Sequence, residues 1–201
     1  MTVEELVSLA PVVPVVVIED VEDAVPLAEA LVRGGLPAIE VTLRTDAALA
    51  AIERIAAEVE GAVVGAGTVT TSRQVEEVLA AGARFLVSPG ATPRLLDALQ
   101  SSGVPFLPGV ATASEIVALL EREITYAKLF PAEIVGGIKA LQAYAGPFPQ
   151  VRFCPTGGIN AGNAADYLAQ PNVACVGGSW MTRGDVEGLA RAAAQLRVPV
   201  G

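Results

Sequence analysis

The sequence predicts an α/β protein, a (β/α)8 or TIM barrel with an extra N-terminal helix, and three observations carry that expectation. Short apolar runs alternate with longer amphipathic stretches along the whole chain, eight such pairs fit into 201 residues, and glycines cluster between them. Alternating βα units build a parallel sheet with right-handed crossovers, and eight of them imply closure into a barrel near the short end of that fold's range.

The elements follow in order. Residues 3–10 form the extra helix, placed to cover the lower end of the barrel. Strands are expected at 12–18, 38–43, 62–65, 85–87, 105–107, 124–129, 151–154 and 173–176, each a short apolar run. Helices are expected between and after them at 21–33, 46–60, 72–81, 93–100, 113–122, 134–144, 161–168 and 185–196. Thr45 and Thr71 stand where N-caps are needed, Gly34-Gly35 and Gly82 follow helix ends, and Pro93 lies in a first helical turn. A doubly wound open sheet is the competing fold, but no Gly-x-Gly-x-x-Gly turn follows the first strand. No linker or low-complexity segment interrupts the pattern, so one domain spans residues 1–201.

Composition narrows the function. The chain is 52% hydrophobic and 17% charged, the balance of a packed globule rather than a disordered segment. Its formal charge of −9 argues against nucleic acid as a partner, because phosphate counterions are displaced by a basic footprint. The longest apolar run, residues 9–18, is too short for a membrane span and contains Pro11 and Pro14, and no basic-then-apolar signal precedes it. Cys154 and Cys175 have no framework spacing and read as buried thiols of a reducing, cytoplasmic protein. There is no histidine, which removes the commonest acid/base group and metal ligand and leaves Glu, Asp, Lys, Tyr or Cys for any chemistry.

In a βα barrel the reacting groups come from the C-terminal ends of the strands. The second strand ends Glu40-Val-Thr42-Leu-Arg44, and alternation puts Glu40, Thr42 and Arg44 on one face with Val41 and Leu43 toward the helices. Either an internal ion pair or a fork-like grip by Arg44 on a substrate carboxylate fits that arrangement. The third strand ends in Gly65-Ala-Gly67-Thr68, where glycines allow either close ligand approach or tight packing. Ser88-Pro89-Gly90 and Pro108-Gly109 shape the pocket.

The sixth strand supplies Lys128 between Tyr126 and Phe130 on the same face, two aromatics that would exclude water. Buried there, its neutral amine would be a nucleophile toward a carbonyl; with its stem alone buried, it would snorkel to water. The seventh strand ends Thr156-Gly157-Gly158-Ile and the eighth Gly177-Gly178-Ser179. Glycine-rich turns after these two strands are where barrels commonly bind phosphate through backbone N–H groups.

Read in order, Glu40-Val-Thr-Leu-Arg-Thr45, Gly65-Ala-Gly-Thr-Val69, Ser88-Pro-Gly90, Lys128-Leu-Phe-Pro-Ala-Glu133, Gly146-Pro-Phe148, Pro155-Thr-Gly-Gly-Ile159 and Gly177-Gly-Ser-Trp180 closely resemble the 2-keto-3-deoxy-6-phosphogluconate (KDPG) and 4-hydroxy-2-oxoglutarate aldolases. The resemblance spans nearly the whole chain. It implies a homotrimeric class I aldolase that needs no metal and no cofactor and acts on a small 2-keto acid. By position, Lys128 resembles the Schiff-base lysine and Glu40 the general acid/base. Arg44, Thr68 and Pro89 resemble groups around the pyruvoyl part, with Phe130 packed against it and Thr156 beside the reacting carbons. Gly157, Gly158, Gly178 and Ser179 resemble the phosphate site. The same lysine chemistry on unphosphorylated 4-hydroxy-2-oxoglutarate is the nearest rival. An isomerase or synthase using Lys128 only as a charge, and a non-catalytic structural barrel subunit, are more distant ones.

Overall fold

The computed structural model describes residues 1–196. A short helix α1 (Val3–Val7) opens the chain, its first turn closed by a capping box between Thr2 and Glu5. It is followed by β1 (Val12–Val16), a 3-10 turn (Val21–Asp23) leading into α2 (Ala24–Arg33), β2 (Ala38–Thr42), α3 (Ala48–Glu58), β3 (Val63–Gly67) and α4 (Ser72–Ala80). Next come β4 (Leu86–Val87), α5 (Pro93–Gln100), β5 (Phe106–Leu107), β6 (Gly109–Val110) and α6 (Ala113–Leu120). The described chain ends with β7 (Tyr126–Leu129), α7 (Gly137–Ala145), β8 (Arg152–Pro155), α8 (Ala164–Leu168), β9 (Val176–Gly178) and α9 (Val186–Ala194).

The strands pair in parallel, in a curled sheet of six ordered β5-β4-β3-β2-β1-β9 and a sheet of three ordered β6-β7-β8. These sheets adjoin on both flanks. Pro108, which has no N–H for a ladder, separates β5 from β6 in one continuous run. At the other flank, parallel bridges join Phe153 to Val173 and Thr156 to Gly177.

Every position of β1, β2 and β3 is buried, and alternation sorts the side chains into two layers. Ile39 and Val41 pack outward with Ala51, Ile52 and Ile55 of α3. Ala38 faces the inner cluster, where it meets Val13, Val63, Phe85, Leu107 and Cys175, with Leu6 and Val7 of α1 joining them. Both cysteines are buried thiols. Burial and the neighbouring Cys154 thiol push the Cys175 thiol well up, its contact with Cys154 being the larger cause and Glu40 a smaller one.

Several local expectations need correction. Thr45 does not cap α3, whose N-cap is Ala47 without a side-chain bond; the Thr45 hydroxyl donates instead to the Ile18 carbonyl. Thr71 does cap α4, in a capping box with Gln74. Helix α7 starts at Gly137 rather than 134, because the amides of Ile134 and Val135 turn back to the Pro131 carbonyl and Gly136 is left-handed. The last strand starts at Val176, since the Val173 amide is taken by Gln170 at the end of α8. The extra helix stops at Val7, short of residue 10, and the fifth run continues past Pro108 as β6.

Phe85, fully buried, lies against Gly65, where a Cβ would collide with its ring. Phe85→Ala is therefore expected to destabilise the fold by about 3–5 kcal/mol. At about 2–4 °C per kcal/mol for a chain of this size, thermal unfolding followed by circular dichroism should show a drop of about 6–20 °C.

Candidate active site

The sharpest juxtaposition joins β2 to β7. Lys128 Nζ lies 3.2 Å from Glu40 Oε1, and each residue is only 3% exposed. The two residues are 88 positions apart and belong to different sheets, so the pair forms because those sheets face each other across the interior. Room for the carboxylate comes from Gly67 on the neighbouring strand, where any Cβ would strike the Glu40 side chain. The Phe130 ring centroid sits 5.2 Å from Nζ, covering the amine with a π face. Lys128 thus does not snorkel to water.

Around this pair the site has two unlike ends. At one, Arg44 Nε donates to Thr68 Oγ1 at 3.2 Å, and no Glu40–Arg44 pair forms. Thr68 holds a left-handed φ of 59°, a costly conformation for a β-branched residue and the kind of strain found at functional positions. At the other end the Thr156–Ile159 turn uses Gly157 and Gly158 at φ 99° and 85°. The amides of Gly157, Gly158 and Ser179 find no protein acceptor among the described residues, as an anion-binding turn requires. A cavity of about 140 Å³ runs between the ends, lined by Arg44, Phe130, Thr156, Gly157, Gly158, Gly178 and Ser179. Thr156 fits beside β9 only because residue 177 is glycine; a Cβ there would meet its hydroxyl.

The family model for KDPG and KHG aldolase matches residues 3–193. The chain belongs to this aldolase family. A 2-dehydro-3-deoxy-phosphogluconate aldolase of Pseudoalteromonas atlantica is 52% identical over 182 residues, covering 90% of this chain and 85% of that protein. A KHG/KDPG aldolase of Escherichia coli is also 52% identical, with the same coverage. The crystal structure of a KDPG aldolase from Legionella pneumophila, with pyruvate captured as a covalent carbinolamine, superposes with a TM-score of 0.94 at 46% identity, covering 97% of this chain and 99% of that one.

Seven of the sequence-predicted site residues line this cavity; Lys128, Glu40 and Thr68 are not in its wall but touch it through Phe130 and Arg44, and two others lie elsewhere. Pro89 does not line the cavity; its backbone abuts Gly109, the ladder neighbour of Lys128, so it bears on the lysine's strand rather than on the pocket. Tyr126 lies at the opposite end of the interior among Val3, Phe106 and Ile124, where burial, then the Glu4 charge, pushes its phenol up. One strand residue per two points inward, but 126 is a full repeat below 128 and cannot shield the same amine.

The sequence reading missed a tie between Glu133 and Tyr167. The Tyr167 hydroxyl donates to Glu133 Oε1, the Glu133 amide donates to the Gly157 carbonyl at 3.2 Å, and a Cβ on Gly158 would strike the Glu133 stem. Burial, helped by Glu133, pushes the Tyr167 phenol up, which keeps it a donor. No local pattern reports this contact, since its partners are 34 residues apart. Val15, which also lines the cavity, was legible only as part of an apolar strand.

Thr68 offers a separable test. A left-handed conformation costs an L-residue about 1–2 kcal/mol, so Thr68→Gly is expected to leave the melting temperature unchanged or raised. The same change removes a hydrogen bond worth about 1 kcal/mol from Arg44 and should weaken pyruvate binding about fivefold, read by calorimetric titration.

Proposed function

We propose that this chain is a class I aldolase that cleaves 2-dehydro-3-deoxy-6-phosphogluconate to pyruvate and glyceraldehyde 3-phosphate. The observation that carries the reading is the buried Lys128 amine held 3.2 Å from the Glu40 carboxylate beneath an aromatic cover. The family's relatives, named for this cleavage, support it.

The chemistry follows from that contact. Glu40 takes a proton from Nζ, and the neutral amine adds to the C2 ketone. Glu40 returns that proton to the C2 hydroxyl, which leaves as water, and the iminium so formed can accept an electron pair. Glu40 then removes the C4 hydroxyl proton, the C3–C4 bond breaks, and its electrons form the enamine as the aldehyde leaves. The protonated Glu40 delivers its proton to C3, and water hydrolyses the resulting iminium to release pyruvate and restore Lys128. One positioned carboxylate serving as base and then acid typically contributes about 10²–10⁴-fold at each transfer. Arg44, positioned by Thr68, grips the substrate carboxylate in a geometry that lysine would not reproduce. Pro89 bears on the strand of Lys128 through Gly109, Thr156 flanks the reacting carbons, and the phosphate rests on Gly157, Gly158, Gly178 and Ser179.

The same site would act on 4-hydroxy-2-oxoglutarate, and the twofold name of the Escherichia coli relative favours keeping that second substrate. The free amides at the glycine turn support preference for the phosphorylated one. We further infer a single closed (β/α)8 domain over residues 1–201, of which 197–201 lie outside the described residues, with α1 covering one end. The inferred assembly is a cytoplasmic homotrimer without metal or cofactor. No helix among the described residues is long and apolar enough to cross a membrane.

The chain contains only two lysines, Lys128 and Lys139, which makes the decisive experiment unambiguous. Borohydride with pyruvate should add stable mass to the Lys128 peptide alone, leaving the exposed Lys139 as an internal control, and Lys128→Ala should abolish labelling and cleavage together. Adduct on Lys139, or turnover in the alanine variant, would refute the mechanism. Substrate preference is tested separately: Ser179→Ala should raise KM for the phosphorylated substrate about fivefold or more while shifting the unphosphorylated one less than about twofold.

A further inference from the structure

The phosphate end of the proposed site has amides and a hydroxyl, but the cavity's one cation, Arg44, is engaged at the carboxylate end. A phosphate ester carries about −1.5 to −2 charge at neutral pH, and a dianion is held most strongly by charge-assisted bonds. A second cavity, of about 350 Å³, adjoins the first and shares Val15 and Ser179 with it; Val17, Trp180, Thr182 and Arg183 complete it.

The backbone that carries Arg183 is well anchored. Thr182 donates both its amide, at 3.2 Å, and its hydroxyl, at 2.9 Å, to the Ser179 carbonyl. Met181 is fully buried, and the Trp180 ring lies against Gly178 so closely that a Cβ there would overlap it. The guanidinium is therefore launched from a fixed point beside the phosphate turn while its long side chain stays exposed. Among the described residues no carboxylate lies within ion-pair distance of it, although Glu19, Asp23, Asp185 and Glu187 line the next groove along.

We propose that Arg183 is the cation of the phosphate subsite, swinging over the Gly178–Ser179 strand end to pair with the phosphate of the aldehyde half and so setting the preference for phosphorylated substrates. This rests on the glycine turns being the phosphate site, as argued above. The competing role is that of a counter-ion to the acidic groove, which would be indifferent to the substrate.

The test compares Arg183→Gln, Arg183→Lys and Ser179→Ala in the full-length protein, with phosphorylated and unphosphorylated 2-keto-4-hydroxy acids and with inorganic phosphate as a competitive inhibitor. Arg183→Gln is expected to raise KM for the phosphorylated substrate and the inhibition constant of phosphate about tenfold. It should leave kcat and the unphosphorylated KM within about twofold, and Arg183→Lys should recover part of the loss. If Ser179→Ala discriminates between the substrates and Arg183→Gln does not, Arg183 serves the acidic groove and this assignment is wrong. If neither variant discriminates, the phosphate reading of the glycine turns falls, and this inference with it.

Discussion

The buried contact between Lys128 and Glu40 is the constraint to which the rest of the molecule answers. Removing two charges from water costs several kcal/mol per ion, and the loss is recovered only when the partners meet in good geometry. Here they meet at 3.2 Å from opposite sheets, so the strands must curl until β2 and β7 face one another. Small residues then become obligatory around the pair: Gly67 yields space to Glu40, and Gly177 to Thr156. Beneath it the interior reverts to a cluster that includes Val13, Phe85, Val87, Leu107 and the two thiols. A geometry expensive to keep in the resting protein is the one that places an amine and a proton acceptor together in a dry site, where neither must be reorganised for reaction.

Precision at the two ends is supplied by different means. At one end a strained Thr68 presents its hydroxyl to Arg44, so stability is conceded locally to fix one guanidinium. At the other, where backbone amides are the proposed phosphate ligands, what needs fixing is a turn of glycines with little rigidity of its own. Asn160 and Asn163 both donate to the Gly158 carbonyl, and Glu133, clasped by Tyr167, buttresses the other side. Glu133 follows Lys128 in the chain by five positions, just past the end of β7, so the same segment carries the buried amine and braces the glycine turn. The distance from the amine to that turn is thereby built into one short stretch of backbone.

What could be read from the sequence was whatever a single strand or turn states by itself. Alternation in 38–44 separated Glu40 from Val41 without knowledge of any partner, and apolar runs ending in glycine marked the strand ends where chemistry collects. Failures came where a residue had two competing local uses or a distant partner. Thr45 has a capping side chain in a capping place, yet the Ile18 carbonyl, from the segment after β1, takes its hydroxyl. Tyr126 shares a face with Lys128 but belongs to a lower layer, which periodicity cannot report. The tie between Glu133 and Tyr167 arises only when α8 comes beside the segment that follows β7, and the adjoining cavity around Arg183 exists only once β9 lies beside β1.

Charge on the whole chain and charge in the site point in opposite directions, and the distances decide which matters. The formal charge of −9 repels a multiply anionic substrate at long range. That repulsion is screened beyond about 8 Å at physiological ionic strength, so it does not reach a substrate already in the mouth. Inside the mouth the order reverses, because Arg44 and unpaired amides act at contact distance in a poorly screened cavity. An acidic exterior is therefore compatible with an anion-selective interior. The cost falls on encounter rate rather than on the bound state, and the groups that decide specificity are those within contact of the substrate's two charged ends.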